Sequence, residues 1–92
     1  MNEELLIQYC QDGSINEIIE LIETNGDNLD INYNGGEALR IVVLDLNYEI
    51  TKILLEAGAD PNVGTIESNH DSAYDIADQI NDPSMNNLIV NY

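Results

Sequence analysis

The chain has 92 residues, and its 18 acidic side chains stand against only two basic ones, which gives a formal net charge of −16. A chain of this length forms one domain and buries roughly two thirds of the surface that its unfolded form exposes. The negative charge repels phosphates and anionic lipids, so we expect the protein to bind neither nucleic acid nor membrane and to favour a basic protein partner.

The amino terminus lacks the features of a secretory signal. Residues 1–4 carry no basic flank, and the apolar runs of the chain are too short to span a bilayer. Cys10 is the single cysteine, so no internal disulfide can form. We therefore expect a cytoplasmic protein.

The first third of the chain predicts two short amphipathic helices. Apolar residues recur at helical spacing in residues 5–10 and again in residues 15–22. Between them, Gly13 is free to take the positive φ that ends a helix, and we expect the hydroxyl of Ser14 to cap the next one.

The same pattern returns twice along the chain. Residues 39–43 and 50–55 predict a second helix pair, in which Gly58 ends the helix in a left-handed conformation and residues 60–62 form a turn. Residues 74–80 and 85–90 predict a third pair, with Pro83 near a helix start. A self-similarity of about 33 residues is typical of solenoids, whose units stack to share one core.

Residues 36–62, GEALRIVVLDLNYEITKILLEAGADPN, resemble an ankyrin repeat. The sequence departs from the family pattern at Glu37, Ala38 and Arg40, where Thr, Pro and His are preferred, and at Leu46, where Gly is preferred. These departures concern the turn at the first helix and leave the helix pair intact. The positions that match best are Leu54, Leu55, Gly58, Ala59, Asp60 and Asn62.

The resemblance extends to both ends of the chain. Residues 5–23 resemble an N-terminal capping repeat, and Ser72, Ala73, Tyr74, Asp75 and Ala77 retain part of the pattern in the last unit. The implied fold is all-α, an ankyrin-repeat solenoid of three stacked helix pairs. The implied domain is single, spanning 1–92, with repeats at about 3–32, 33–62 and 63–92.

The family's binding geometry implies a partner-binding surface on the concave side and the loop tips. In this sequence the corresponding residues on the inner helices are Gln11, Asp12, Leu44, Asp45, Gln79 and Ile80. The corresponding loop-tip residues are Tyr33, Asn34, Glu67, Asn69, His70 and Asp71. A tyrosine at a tip suits an anchoring role. The alternative interpretation of these residues is a solvated charged face.

The sequence offers little catalytic chemistry. His70 is the only histidine and no serine or cysteine is recognisably paired with it. Apolar and acidic neighbours should raise the pKa of Cys10 and leave it a small core residue. Gly35 and Gly36 lack the spacing and the lysine of a phosphate-binding loop. We expect no catalytic residues, no metal and no cofactor, and hence no enzyme.

Two functions follow from the acidity and the resemblance. The first is an inhibitor that covers the active site or substrate groove of a basic toxin such as a nuclease, as ankyrin-type bacterial immunity proteins do. The second is a viral or cellular adaptor that docks a basic segment of a larger protein. In either case we expect a monomer, or a heterodimer with the target.

Overall fold

In a computed structural model, which describes residues 2–63 and 72–91, the chain is all-helical. This confirms the predicted all-α class. No strand occurs in the described residues, and none of their helices is long and apolar enough to cross a membrane. The helices are α1 (Asn2–Asp12), α2 (Ile15–Asn25), α3 (Tyr33–Leu44), α4 (Tyr48–Glu56), α5 (Ala73–Ile80) and α6 (Pro83–Val90), and a short 3-10 turn (Gly26–Asn28) follows α2.

The helices pack as antiparallel pairs around a central helix. Helix α3 lies between α1 and α5, while α2, α4 and α6 each pack on the preceding helix, and α4 also contacts α6. Small side chains at Ala38, Ala73 and Ala77 are buried and allow α3 and α5 to approach closely. Larger buried side chains fill the core along the whole stack, namely Leu6, Ile18, Leu39, Val42, Ile50, Leu54, Met85 and Ile89.

The turns inside the three helix pairs share one backbone feature. Each has a residue with positive φ: 73° at Gly13, 56° at Leu46 and 58° at Asn81. In the second pair the N–H of Asn47 donates to the carbonyl of Val42 at 2.9 Å, as in the left-handed helix ending that usually contains glycine. The prediction that Gly13 breaks the first pair is therefore confirmed, and Leu46 occupies the equivalent position in the second.

The predicted cap at Ser14 is wrong. Ser14 precedes α2, but its side chain makes no capping hydrogen bond. Asn47 precedes α4 with a similar backbone conformation, and its longer side chain reaches the N–H of Ile50 at 3.1 Å. A serine hydroxyl does cap α5, at Ser72, but there ψ is 166° whereas it is 79° at Ser14, so the missing bond reflects the backbone conformation of Ser14 together with its shorter side chain.

The connections between pairs repeat a second turn. The carboxylate of Asp30 accepts from the N–H of Asn32 at 3.1 Å, and that of Asp60 accepts from the N–H of Asn62 at 2.9 Å. The predicted turn at residues 60–62 is confirmed, and so is the left-handed Gly58, whose φ is 102°. Pro83 occupies the start of α6, as predicted.

Successive connections are hydrogen-bonded to one another. The N–H of Asp30 donates to the Glu3 carboxylate at 3.1 Å, and the N–H of Asp60 donates to the side-chain oxygen of Asn32 at 2.8 Å. The N–H of Tyr74 then donates to the carbonyl of Pro61 at 2.9 Å. The starts of α1, α3 and α5 therefore lie at the same end of the molecule, and the turns inside the pairs lie at the opposite end.

The beginning of α3 departs from a regular helix. Asn34, Gly35 and Gly36 all have positive φ, so the regular helix starts after them. Arg40 closes this segment, because its guanidinium donates to the carbonyl of Gly35 at 3.0 Å and to that of Asn34 at 2.9 Å. Arg40 occupies the position where the ankyrin pattern prefers histidine. From the first regular turn of α3, it stabilises the left-handed segment that precedes it.

Candidate protein-binding surface

The carboxylates of the described residues all lie at the surface. None is buried, and most are exposed. They are unevenly distributed over the helices, since α2 carries three glutamates whereas α6 carries no charged residue. The first helix pair therefore carries the largest share of the negative charge, because the helices of the second pair also hold both basic residues of the chain, Arg40 and Lys52.

Five predicted binding residues lie towards the end where the turns inside the pairs are found. Gln11 and Asp12 end α1, Leu44 ends α3 and Asp45 follows it, and all four are exposed. Because α1 and α3 pack together and begin at the same end, their last residues are neighbours. Gln79 is exposed near the end of α5. Ile80, next to it, is half-buried.

The remaining predicted residues do not join this group. Tyr33 is half-buried and Asn34 is exposed at the start of α3, where the Asn34 amide donates to the carboxylate of Glu37. At 1.5 Å per helical residue, the regular part of α3 between Glu37 and Leu44 alone spans roughly 10 Å. Glu67, Asn69, His70 and Asp71 fall in residues 64–71, which lie outside the described residues. A partner that touched both groups would have to span the length of α3.

Two exposed apolar residues beside Leu44 were not predicted from the sequence. Leu46 is 37% exposed within the turn between α3 and α4, and Tyr48 is 42% exposed at the start of α4. The hydroxyl of Tyr48 donates to the carboxylate of Asp82 at 2.7 Å, which joins this turn to the one before α6. This bond raises the pKa of Tyr48. The departure of Leu46 from the preferred glycine was the available signal.

A row of glutamates on α2 was also absent from the predicted surface. Glu17, Glu20 and Glu23 are exposed and recur every three residues, so they share one side of the helix. Glu17 and Glu20 line a cleft of about 360 Å³ against α1 that also contains Tyr9. The spacing of three was visible in the sequence, and it indicates a continuous strip of negative charge outside the predicted surface.

An open apolar groove separates α2 from α4. Its floor is formed by Ile19, Ile22 and Ile53, and carboxylates of Glu23 and Glu56 stand at its rim. Carboxylates beside apolar surface suit a partner side chain with an aliphatic stem and a cationic head, such as lysine or arginine. The groove therefore combines apolar surface with negative charge.

Cys10 and the acidic side chains of the described residues form neither a reactive thiol nor a metal site. Burial raises the pKa of the Cys10 thiol to about 12, so the thiol is neutral at physiological pH, and Cys10 is a core residue as predicted. Within the described ranges no group of His, Cys, Asp and Glu side chains has a geometry that could hold a metal ion. The chemistry that the surface supports is charge and shape complementarity.

Comparison with known proteins finds no relative. No protein-family model, no curated protein and no solved structure is significantly similar to this chain.

Proposed function

We propose that this protein is an acidic binding module that neutralises a basic toxin such as a nuclease by covering its active site or substrate groove. The observation that carries the proposal is the net charge of −16 together with the position of the carboxylates, since all those in the described residues lie at the surface. An enzyme that binds phosphates presents Lys and Arg in its groove, and a surface of this sign competes directly for them. Complementary fields also accelerate encounter, up to about 10⁸ to 10⁹ M⁻¹s⁻¹ at low salt.

We further propose that the helix pairs form a three-repeat solenoid of the ankyrin type. Two repeated features support this proposal. The left-handed position recurs at Gly13, Leu46 and Asn81, and the aspartate turn recurs at Asp30 and Asp60 with the same hydrogen bonds. A solenoid is rigid along its stack, so it would hold the carboxylates in fixed positions before the partner arrives and so reduce the entropy lost on binding.

The first test is capture of the partner from the native host. The purified protein is immobilised and exposed to lysate at about 50 mM and about 500 mM salt, and the retained proteins are identified. We expect a protein of high isoelectric point that is retained at low salt and largely lost at high salt, because screening weakens exposed charge pairs. A partner retained equally at both concentrations would contradict the electrostatic proposal.

The second test distinguishes inhibition from tethering. If the retained protein cleaves nucleic acid, titration with the module should abolish cleavage at a one-to-one ratio. The Glu17→Gln/Glu20→Gln/Glu23→Gln variant should weaken inhibition and lessen its salt dependence. A partner that keeps its full activity in the complex would favour the adaptor, and so would the absence of a neighbouring gene for a secreted protein with a basic toxin domain.

A further inference from the structure

The turn between α3 and α4 carries a concentration of exposed apolar surface. Six large apolar side chains are exposed in the described residues, and three of them lie within residues 44–48. Leu44 is 63% exposed, Tyr48 is 42% exposed, and Leu46 between them is 37% exposed. We call these three residues the middle-turn patch. Scattered exposed leucines are ordinary, whereas a cluster in so short a segment is typical of an interaction site.

Leu46 is also held in an unfavourable backbone conformation. Its φ of 56° lies in the left-handed region, which glycine adopts freely and a leucine adopts at a conformational cost. The equivalent positions of the other two pairs hold Gly13 and Asn81, the residue types that tolerate this conformation best. Leucine is therefore the least favourable of the three residue types for this backbone conformation.

The surroundings of the middle-turn patch are acidic. Asp45 lies within the turn and Asp12 ends the neighbouring helix α1, and both side chains are exposed. Arg40 precedes Leu44 by one helical turn and donates to the backbone carbonyls of residues 34 and 35. Lys52 lines the same groove between α4 and α6 as Tyr48, so the patch is acidic beside Leu44 and Leu46 and has a lysine beside Tyr48. A second copy of this chain would bring like charges together, so self-association is disfavoured.

We propose that the middle-turn patch is the anchoring point for a basic amphipathic helix of the partner. An apolar side chain of that helix packs on Leu44 and Leu46, and flanking Lys or Arg side chains face Asp12 and Asp45. This proposal rests on the proposed function and adds to it the place and the chemistry of the contact. It also explains why a leucine occupies a left-handed position, since the residue whose backbone conformation destabilises the fold is the one that the partner covers.

The test uses two synthetic 15-residue helical peptides of equal positive charge. One carries leucines at two positions four residues apart, and the other carries serines there. At about 50 mM salt we expect the leucine peptide to bind at least about tenfold more tightly, because it alone buries apolar surface. In ¹⁵N-labelled protein, the largest amide shifts should lie in residues 44–48.

The decisive variant is Leu46→Gly, with Leu46→Asn as a second variant that copies the residue type of Asn81. Both should raise Tm by relieving the left-handed leucine, and both should reduce the preference for the leucine peptide over the serine peptide, with Leu44 retaining part of it. Leu44→Ser should weaken the binding of the leucine peptide, but it should not raise Tm. Val90→Ser removes an equally exposed apolar side chain from α6 and should leave both affinities unchanged.

The outcomes separate this inference from the proposed function. If both peptides bind equally and the variants at position 46 leave the affinities unchanged, the middle-turn patch is not the anchor, although attraction to basic partners stands. Failure of both peptides to bind at low salt would overturn the inference and the charge-based proposal together. Concentration-dependent dimerisation that Leu46→Gly abolishes would also overturn the inference, because the patch would then serve a second copy.

Discussion

The burial of the polar residue Thr51 lowers the stability of the fold. Its side chain is fully buried in α4, and its hydroxyl has no hydrogen-bond partner among the described residues. A buried polar group without a partner loses its hydration and gains nothing in exchange, which costs about 1–3 kcal/mol. Valine has the same shape without the hydroxyl.

We therefore expect Thr51→Val to stabilise the fold by about 1 kcal/mol, which corresponds to a rise in Tm of about 4–8 °C for a domain of this size. Thermal unfolding followed by circular dichroism measures the change. Thr24→Val is the matched control, since Thr24 lies exposed on α2. An unchanged Tm for Thr51→Val would mean that the hydroxyl is hydrogen-bonded in solution.

The start of α2 offers a reciprocal pair of substitutions. Ser14→Asn introduces the side chain that caps α4 at Asn47, and it should stabilise the fold by about 0.5–1 kcal/mol. Asn47→Ser should destabilise by a similar amount, because the shorter hydroxyl cannot reach the N–H of Ile50. Urea denaturation of the two variants measures both effects. A loss of stability in Ser14→Asn would show that reach is not what leaves Ser14 without a capping bond.

At the scale of elements, hydrogen bonds between connections hold successive helix pairs in register. The first of them joins Glu3 of α1 to the backbone N–H of Asp30, and this bond holds the pKa of Glu3 below its usual value. A carboxyl with a lowered pKa in the folded state stabilises the fold above its unfolded pKa of 4.5, and that contribution disappears as the pH falls below it. The link between α1 and the second pair is therefore sensitive to acid.

The expected result is a pH-dependent difference between the wild type and Glu3→Gln. The free energy of unfolding of the wild type should exceed that of the variant at pH 7, and the difference should shrink as the pH falls from about 6 to 3. Glu4→Gln removes one charge from the same helical turn and serves as the control. An identical pH dependence in the two variants would contradict the role of the Asp30 N–H.

The helices and turns could be predicted where the residues that determine them lie close together in the sequence. Apolar spacing, Gly13, Gly58 and Pro83 act within a few residues, so the helices and their breaks were predicted correctly. The capping of α2 was not, because it depends on the backbone conformation at Ser14, which differs from that at Ser72, where a serine does cap a helix. The turn at Arg40 also required the fold, since its partners lie five and six residues back in a left-handed segment.

At the scale of the whole molecule, the charge dominates. A net charge of −16 is held on a body with a radius of gyration of 12.0 Å, so the carboxylates lie close enough to repel one another. The Debye length falls from about 30 Å at 0.01 M salt to about 10 Å at 0.1 M, which is within the dimensions of the molecule. Folding brings these charges together and therefore costs more at low salt.

We expect Tm to rise as sodium chloride increases from about 10 mM to about 500 mM. The triple variant Glu17→Gln/Glu20→Gln/Glu23→Gln should show a higher Tm at low salt and a smaller rise, because it removes the strip of charge on α2. Differential scanning calorimetry of both proteins at several salt concentrations measures this. A wild-type Tm that does not change with salt would contradict the self-repulsion.

The predicted surface was harder to obtain than the helices. Composition indicated the sign of the charge that we propose for the partner, and the ankyrin resemblance pointed to Gln11, Asp12, Leu44 and Asp45, which lie towards one end. Neither could place Tyr33 and Asn34 at the opposite end, because that depends on how the pairs stack. Nor could they identify Leu46 and Tyr48, whose exposure is a property of the folded turn.

The burial of Cys10 gives this protein an intrinsic reporter of its own opening. A thiol that is almost fully buried and has a pKa of about 12 reacts with alkylating reagents only when α1 detaches and the ordinary acidity of cysteine returns. Since no other cysteine competes for label, mass spectrometry of the intact chain would time this detachment directly. If a bound partner slows the labelling of Cys10, the ratio of the two labelling rates would measure how much the complex stabilises α1 against detachment.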